Sequence, residues 1–158
     1  MKLSVIIPNY NHGEFIEEQV DAIINQEYKC CELIIIDDKS TDDSVDIIKK
    51  IIKKNPNENI TLIENEKNIG PLNIFNKGLD LSSGDYIIFP SADDRICKNL
   101  FQEAFLMFNK YPQSGMFSAL GYQMDKKGRF QNLVSSPLIS KVKIYLNSSD
   151  VKKYLSKY

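Results

Sequence analysis

The chain has 158 residues, of which 42% are hydrophobic and 26% charged, and its formal net charge at pH 7 is −1. This is the composition of an ordinary globular protein, and the charge gives no reason to expect a nucleic-acid partner. It has neither an apolar run of membrane-spanning length nor the apolar stretch of a signal peptide at its start. Three cysteines, Cys30, Cys31 and Cys97, have no metal-ligand spacing, and an odd number of cysteines without a secretory signal predicts reduced thiols and a cytoplasmic location.

Short apolar runs alternate along the chain with segments of helical periodicity. In chain order, these patterns predict a strand at Leu3–Ile7, a helix at Glu14–Gln26, a strand at Leu33–Ile36, a helix from Thr41 to Asn55, a strand at Ile60–Ile63, a helix from Pro71 to before Gly84, a strand at Tyr86–Phe89, a helix at Asn99–Tyr111, a strand at Gly115–Gln123 and a turn at Lys126–Gly128. The alternation predicts a Rossmann-like three-layer α/β/α sandwich with a mostly parallel central sheet.

The helix after the second predicted strand has a polar start. Thr41 is predicted as its N-cap, with Asp42 and Asp43 in the first turn, where the helix dipole favours anions. We therefore interpret these two acids as capping charges and not as ligands.

Polar residues follow three of the predicted strands directly, at Pro8–Tyr10, at Asp37 and Asp38, and at Ser91–Asp94. Ligands of such sheets bind beyond the carboxyl ends of the strands, so the three tips are expected to meet at one edge. Two readings of Asp37 carry equal weight, a direct ligand role and acceptance of hydrogen bonds from the amides of Lys39–Thr41.

Asp93 and Asp94 stand side by side after an apolar run, and neighbouring carboxylates repel unless a positive group lies between them. Mg²⁺ and Mn²⁺ prefer oxygen ligands and commonly take one or two from protein, with water and phosphates completing the shell. The pair therefore predicts a divalent metal site that a diphosphate would complete. His12, the single histidine, is interpreted as a solvated loop residue in preference to a phosphate contact.

Four motifs, SVIIPNYN, ELIIIDDKSTDDS, NIGPLNIFNKGL and GDYIIFPSADD, together with Gln26, occur over Ser4–Asp94 in the order and spacing of a known family. They resemble family 2 glycosyltransferases, which have the GT-A fold. The resemblance implies an inverting enzyme that uses Mn²⁺ or Mg²⁺. It would transfer a sugar from a nucleotide-diphosphate donor, with a UDP-sugar favoured, to a hydroxyl of an acceptor sugar or lipid-linked sugar. Synthesis of a cell-surface polysaccharide or glycoconjugate is the implied setting.

The resemblance also implies roles for individual residues. Its nucleotide-binding set is Pro8, Asn9, Tyr10, Asp37, Asp38, Asn68, Gly70, Lys77, Ser91 and Ala92. Pro8 and Tyr10 would lie against the nucleobase, Asp38 would accept a hydrogen bond from it, and Asp93 would hold the metal with support from Asp94. Two positions depart from the family pattern. Ser91 replaces the first acid of the DxD element, and Phe75 stands where an arginine is frequent, with Lys77 as a substitute cation.

Residues 1–130 are predicted to form the nucleotide-sugar-binding domain. The lysine-rich residues 131–158 are predicted to begin an acceptor-binding half that is missing here. Asp150 is the single acid after Phe130, so the catalytic base is unknown and is expected to be absent from this chain. Self-association through exposed apolar surface is expected, as is a peripheral position of the complete enzyme at the inner face of the membrane.

Two other functions fit parts of the pattern. A nucleotide-sugar-binding or assembly module without turnover is favoured by Ser91 and by the missing base. A nucleotidyltransferase is less favoured, because its basic glycine-rich loop has no counterpart in PNYNHGEF, which holds one glycine and neither lysine nor arginine.

Overall fold

The structure is a computed structural model that describes residues 2–119, 121–125 and 129–133. Within these residues the elements, in chain order, are β1 (Leu3–Asn9), α1 (Gly13–Ile24), β2 (Glu32–Asp37), α2 (Ser44–Lys54), β3 (Ile60–Glu64), α3 (Pro71–Leu81), β4 (Tyr86–Ile88), α4 (Leu100–Lys110), β5 (Tyr122–Met124) and β6 (Phe130–Leu133). The chain divides into two compact units, the first reaching Gln102 and the second beginning at Glu103.

The first unit is built on a four-stranded sheet in the order β3-β2-β1-β4. Each adjacent pair of strands is parallel, and the register sets Asn9 opposite Asp37 and Leu3 opposite Tyr86. The central strands are almost continuous runs of buried β-branched residues, as expected where both faces of a parallel sheet are covered.

Alternate residues of the central strands supply two cores. Ile6, Ile34 and Ile36 form one core with Ile74 of α3. A Cβ at Gly78 would lie 2.5 Å from Cγ2 of Ile6, so this glycine lets α3 lie close to the sheet. The alternate strand residues on the other face are also buried, as are the inner residues of α1 and α2: Val5, Ile7, Leu33, Ile35, Ile16, Val20, Ile23, Ile48 and Ile51. The predicted three-layer α/β/α arrangement with a mostly parallel sheet is confirmed.

The start of α2 differs from the prediction. Asp43, and not Thr41, is the N-cap, and both the amide and the hydroxyl of Thr41 instead donate to Oδ1 of Asn11, at 2.8 and 3.3 Å. Asp42 lies before the helix and accepts from the amides of Gly13 at 2.9 Å and Ser44 at 3.0 Å. One carboxylate thus binds the first residue of both α1 and α2, which confirms that Asp42 has a structural role.

In the second unit, β5 and β6 form an antiparallel pair, and the ring centroids of Phe108 and Phe117 are 6.4 Å apart. The predicted strand at Gly115–Gln123 is wrong in its bounds, since β5 runs from Tyr122 to Met124, and it belongs to this separate two-stranded sheet. The predicted turn at Lys126–Gly128 and most of the predicted segment 131–158 lie outside the described residues. The domain boundary after residue 130 stays a prediction.

Across the described residues, no helix is both long enough and apolar enough to cross a membrane.

Candidate functional site

A pocket of about 440 Å³ lies where β1, β2 and β4 end. These strands run parallel, so their carboxyl ends share one edge of the sheet, and the predicted meeting of three polar tips is confirmed. The lining residues come from all three tips and from the start of α3: Pro8, Asn9, Tyr10, His12, Asp38, Asn68, Gly70, Pro71, Ile74, Phe75, Phe89 and Ser91.

Asp38 is the carboxylate of the pocket wall, and only 2% of it is exposed. Its Oδ1 accepts from Nδ2 of Asn65 and from the amide of Ile69, and its Oδ2 accepts from the amide of Gly70, each at 2.9 Å. Among the described residues Oδ2 accepts this one hydrogen bond, and a carboxylate oxygen can accept two.

The pKa of Asp38 follows from these contacts. Burial alone would raise it, but the hydrogen bonds from Ile69, Asn65 and Gly70 and the charge of Lys77 outweigh burial and hold the pKa below its ordinary value. Nζ of Lys77 also donates to Oδ1 of Asn65 at 2.7 Å. Lys77 is not among the pocket-lining residues and acts on the wall through Asn65.

Gly70 connects the Asp38 carboxylate to α3. It is the N-cap of that helix, with φ 79° and ψ 161°, and its carbonyl accepts from the amide of Ile74 at 3.2 Å. Residues other than glycine rarely adopt this region of backbone conformation. The glycine is therefore required for the turn that places Asn68 and the start of α3 at the pocket.

Asp37 is turned away from the pocket and is 2% exposed. It accepts from Nδ2 of Asn9 at 2.8 Å, and from the amide and hydroxyl of Ser40 at 3.0 and 2.5 Å. These contacts match the turn-binding reading of Asp37. Oδ1 of Asn9 is buried and has no hydrogen-bond partner among the described residues.

The acid loop, Ser91–Ile96, follows β4. Asp93 and Asp94 are exposed on it, whereas Ala92 is buried. A hydrogen bond from the Ser91 hydroxyl, aided by the nearby His12, lowers the pKa of Asp93 although partial burial opposes it. Burial and the charge of Asp93 raise the pKa of Asp94. Of the two acids, Asp93 is therefore the stronger.

The acid loop fits a metal of one particular kind. Among the described residues, no group of three histidine, cysteine or acidic side chains is gathered as a metal site. Two exposed carboxylates on one loop suit Mg²⁺ or Mn²⁺ held by one or two protein oxygens, with phosphates and water supplying the rest. The donor set fits a metal that arrives with a diphosphate, and not a permanent protein cage.

Several pocket residues were not predicted from the sequence. His12 is half-buried, and its Nδ1 is buried without a partner among the described residues, so its interpretation as a solvated loop residue is wrong. Phe75 and Phe89 form an edge-to-face pair with centroids 4.9 Å apart. The sequence did mark Phe75 as unusual, because it stands at a position where family 2 glycosyltransferases frequently have an arginine. Phe89 was assigned to a strand that in fact ends at Ile88.

A parallel sheet covered by helices, with a pocket at the carboxyl ends of its strands, is the arrangement of Rossmann-like α/β domains. The model of the family described as Glycosyl transferase family 2 matches residues 4–148, and the chain belongs to that family.

Relatives and solved structures agree with this assignment. Over 99 residues the chain is 40% identical to a poly(ribitol-phosphate) beta-glucosyltransferase of Bacillus spizizenii, covering 61% of this chain and 15% of the relative. The crystal structure of S. aureus TarS 1-349 in complex with UDP-GlcNAc matches with a TM-score of 0.63 and 29% identity, over 71% of this chain and 32% of that one. The mannosyltransferase PcManGT from Pyrobaculum calidifontis, in complex with GDP-Man and Mn2+, matches with a TM-score of 0.67 and 26% identity, over 72% and 34%.

These matches establish the GT-A fold predicted from the motifs. The chain spans 15% of the Bacillus relative and about a third of each crystallised protein.

Proposed function

We propose that this chain is the donor-binding part of an inverting glycosyltransferase that uses a nucleotide-diphosphate sugar, with a UDP-sugar as the first donor to test. The observation that carries the proposal is the placement of Asp38 in the wall of one pocket, with Ser91, from the loop of Asp93, lining the same pocket. A nucleotide bound there would meet an acceptor for a base N–H at one strand tip and an ionised acid near another. Similarity to proteins solved with UDP-GlcNAc and GDP-Man supports a donor of this class.

Each wall of the pocket has a proposed task. Pro8 and Tyr10 lie against the base, and Asp38 accepts from it through the free position on Oδ2. Asn9, Asn68 and Gly70 shape the pocket around the nucleoside, while Asp37 and Lys77 hold the walls in place from outside it. Ala92 is fully buried and does not line the pocket, so its proposed role is to anchor the acid loop. Nucleobase contacts of this kind orient the donor so that the sugar–phosphate bond faces the acceptor.

The residues for the diphosphate are those of the acid loop. Asp93 would hold Mn²⁺ or Mg²⁺, with Asp94 supporting it, and a divalent cation bound there offsets the charge that builds on the departing diphosphate. Mn²⁺ in the PcManGT complex supports this cofactor.

The acceptor is proposed to be a sugar or lipid-linked sugar in the synthesis of a surface polysaccharide, in line with the poly(ribitol-phosphate) relative. The reaction is proposed to occur in the cytoplasm, where free thiols such as Cys30, Cys31 and Cys97 stay reduced. The acceptor hydroxyl would lose its proton to a base outside the set of acids described above.

The test is calorimetry of UDP binding in Mn²⁺ and in EDTA. We expect tighter binding in Mn²⁺, because phosphates approach these acids only across a cation, and we expect Asp93→Asn to remove most of that gain. Asp85→Asn is the control, since it makes the same change of charge at the opposite end of β4, where Asp85 accepts from the amide of Lys2.

Equal affinity in Mn²⁺ and EDTA would count against the metal role. Absence of UDP and GDP binding under both conditions would refute the proposed function. Binding without donor hydrolysis or transfer would favour the module without turnover.

A further inference from the structure

Helix α1 carries the buried Gln19, and the segment just after the helix carries a second buried glutamine, Gln26. Gln19 is fully buried and Gln26 is 3% exposed. Amide side chains are rarely buried so completely, and each needs partners for its donor and acceptor atoms. Both find them in the chain segment that follows β4.

Gln19 spans the two ends of the acid loop. Its Nε2 donates to the carbonyl of Ser91 at 2.9 Å, and its Oε1 accepts from the amide of Ile96 at 3.0 Å. The Ser91 carbonyl also accepts from the amide of Asp94 at 3.3 Å, which closes a turn within the loop. One side chain therefore fixes both the entry and the exit of the loop.

The residues of the acid loop alternate between anchored and exposed positions. Ala92 is fully buried and Ile96 is 9% exposed, while Asp93 and Asp94 are exposed between them. Arg95, next in the chain, forms an ion pair with Glu18, the neighbour of Gln19 on α1. The loop is held at its base by α1, and the acids form its tip.

We propose that Gln19 is a positioning residue for the metal and diphosphate site, setting the acid loop so that the Asp93 carboxylate faces the pocket. This inference rests on the proposed function and adds a residue outside the pocket to it. Gln19 suits this position because one group must donate at Ser91 and accept at Ile96. Leucine offers neither contact, and an ionised glutamate keeps the acceptor but not the donor.

Gln26 provides the matched control. Its Nε2 donates to the carbonyl of Cys97 at 3.1 Å, and its Oε1 accepts from the amide of Phe101 at 3.4 Å. It is buried like Gln19 and also makes one donor and one acceptor bond to the segment after β4. Its partners, however, lie beyond the acid loop, so its loss should destabilise the fold without moving Asp93.

The experiment measures UDP binding by calorimetry in Mn²⁺ and in EDTA for the full chain and for Gln19→Leu, Gln19→Glu and Gln26→Leu. The readout is the ratio of the two dissociation constants, that is, the gain from Mn²⁺. Loss of a group that orients a metal ligand commonly costs about 10-fold to 100-fold in metal affinity, so we expect Gln19→Leu to cut the gain roughly tenfold or more. Gln19→Glu should fall between wild type and Gln19→Leu.

In EDTA, the affinity of Gln19→Leu for UDP should stay within about twofold of wild type, because the base contacts lie at other strand tips. Gln26→Leu should lower the melting temperature as Gln19→Leu does and should keep the gain from Mn²⁺. Hydrogen exchange without ligand should show faster exchange of the Asp94 and Ile96 amides in Gln19→Leu than in Gln26→Leu.

Two results would overturn the inference alone: a wild-type gain that Gln19→Leu retains, or an equal loss of the gain in Gln26→Leu. If Gln19→Leu does not fold, a Gln19→Glu variant with the full wild-type gain overturns it equally well. A wild-type chain that binds UDP with no gain from Mn²⁺ would remove the metal role itself, and the inference with it.

Discussion

Asp38 joins two tasks in one side chain. Its carboxylate organises the segment that leads into α3, and the same residue lines the pocket in which the base is proposed to bind. Loss of this side chain therefore changes the pocket wall as well as the proposed contact to the base. A drop in nucleotide affinity after its replacement needs a stability measurement beside it.

Replacement of Asp38 by asparagine should have an effect on stability that depends on pH. The folded-state pKa is lowered, so the carboxylate contributes stability that is complete above the unfolded-state pKa of about 3.9 and is lost as pH falls through the folded-state pKa. Hydrogen bonds to a charged group contribute roughly 1.5–3 kcal/mol, and we expect Asp38→Asn to lower the free energy of unfolding by about 2 kcal/mol near neutral pH.

Urea unfolding near pH 7 and near pH 3 measures this effect. The difference between wild type and Asp38→Asn should shrink at the lower pH, because pH 3 lies below the unfolded-state pKa and part of the carboxylate's contribution to stability is lost there. Asp80→Asn serves as the control, since it makes the same charge change on an exposed residue of α3. An equal difference at both pH values would show that shape, and not charge, explains the loss.

At the scale of elements, the turn into α3 depends on one backbone conformation. Gly70→Ala should destabilise the protein by about 1–3 kcal/mol, because φ 79° with ψ 161° is strained for any residue with a Cβ. Space is not the reason, since no atom lies within 4 Å of a Cβ placed there.

Gly121 provides the matched control for this substitution. A Cβ placed there also meets no atom within 4 Å, but its φ lies outside the left-handed range. Thermal unfolding should show a clear loss for Gly70→Ala and little change for Gly121→Ala. Similar losses for both would mean that the conformation of Gly70 is not a significant source of stability.

The strands and helices of the first unit could be predicted from the sequence because their signal is local. Runs such as Leu33–Ile36 and the apolar spacing of α1 reflect burial directly. The start of α2 was misplaced because Asn11, 30 residues before Thr41, binds both the amide and the hydroxyl of Thr41, and it is the hydroxyl that would have capped the helix. A contact over that distance leaves no trace in local periodicity.

The site was predicted unevenly for the same reason. Polar residues directly after strands, such as Asp38 and Ser91, could be assigned to the pocket edge from the position of the strand ends. Gln19 could not, because its partners are 72 and 77 residues away and its polar side chain interrupts the apolar stripe of α1. The apolar pattern also misleads in the other direction, because Phe15 fits the apolar stripe of α1 and yet is 36% exposed.

At the scale of the whole molecule, the proposed donor site belongs to the first unit. Every residue that lines the pocket lies between Pro8 and Ser91, and the acid loop ends at Ile96. A chain shortened after Tyr111, which keeps all of α4, should therefore bind UDP in Mn²⁺ with an affinity within about twofold of the full chain.

The same calorimetry applied to both lengths of chain tests this expectation. A shortened chain with Asp38→Ala identifies the pocket as the place of binding, because that variant should bind more weakly at either length. A tenfold loss on shortening alone would show that residues beyond Tyr111 take part in donor binding.

The distant partners of α1 also order events during protein synthesis. Gln19 and Gln26 leave the ribosome more than 70 residues before the carbonyl and amide groups that they bind. Synthesis at roughly 5–20 residues per second places their binding partners outside the ribosome about 4–15 s later. During that time the two amide side chains have no hydrogen-bond partners in the segment after β4, so burying them would cost free energy. A nascent chain that stops before Ile96 contains β1, α1 and β2 but lacks the amide that Gln19 binds at the exit of the acid loop. The proposed donor site is therefore completed late, when the segment after β4 has been synthesised.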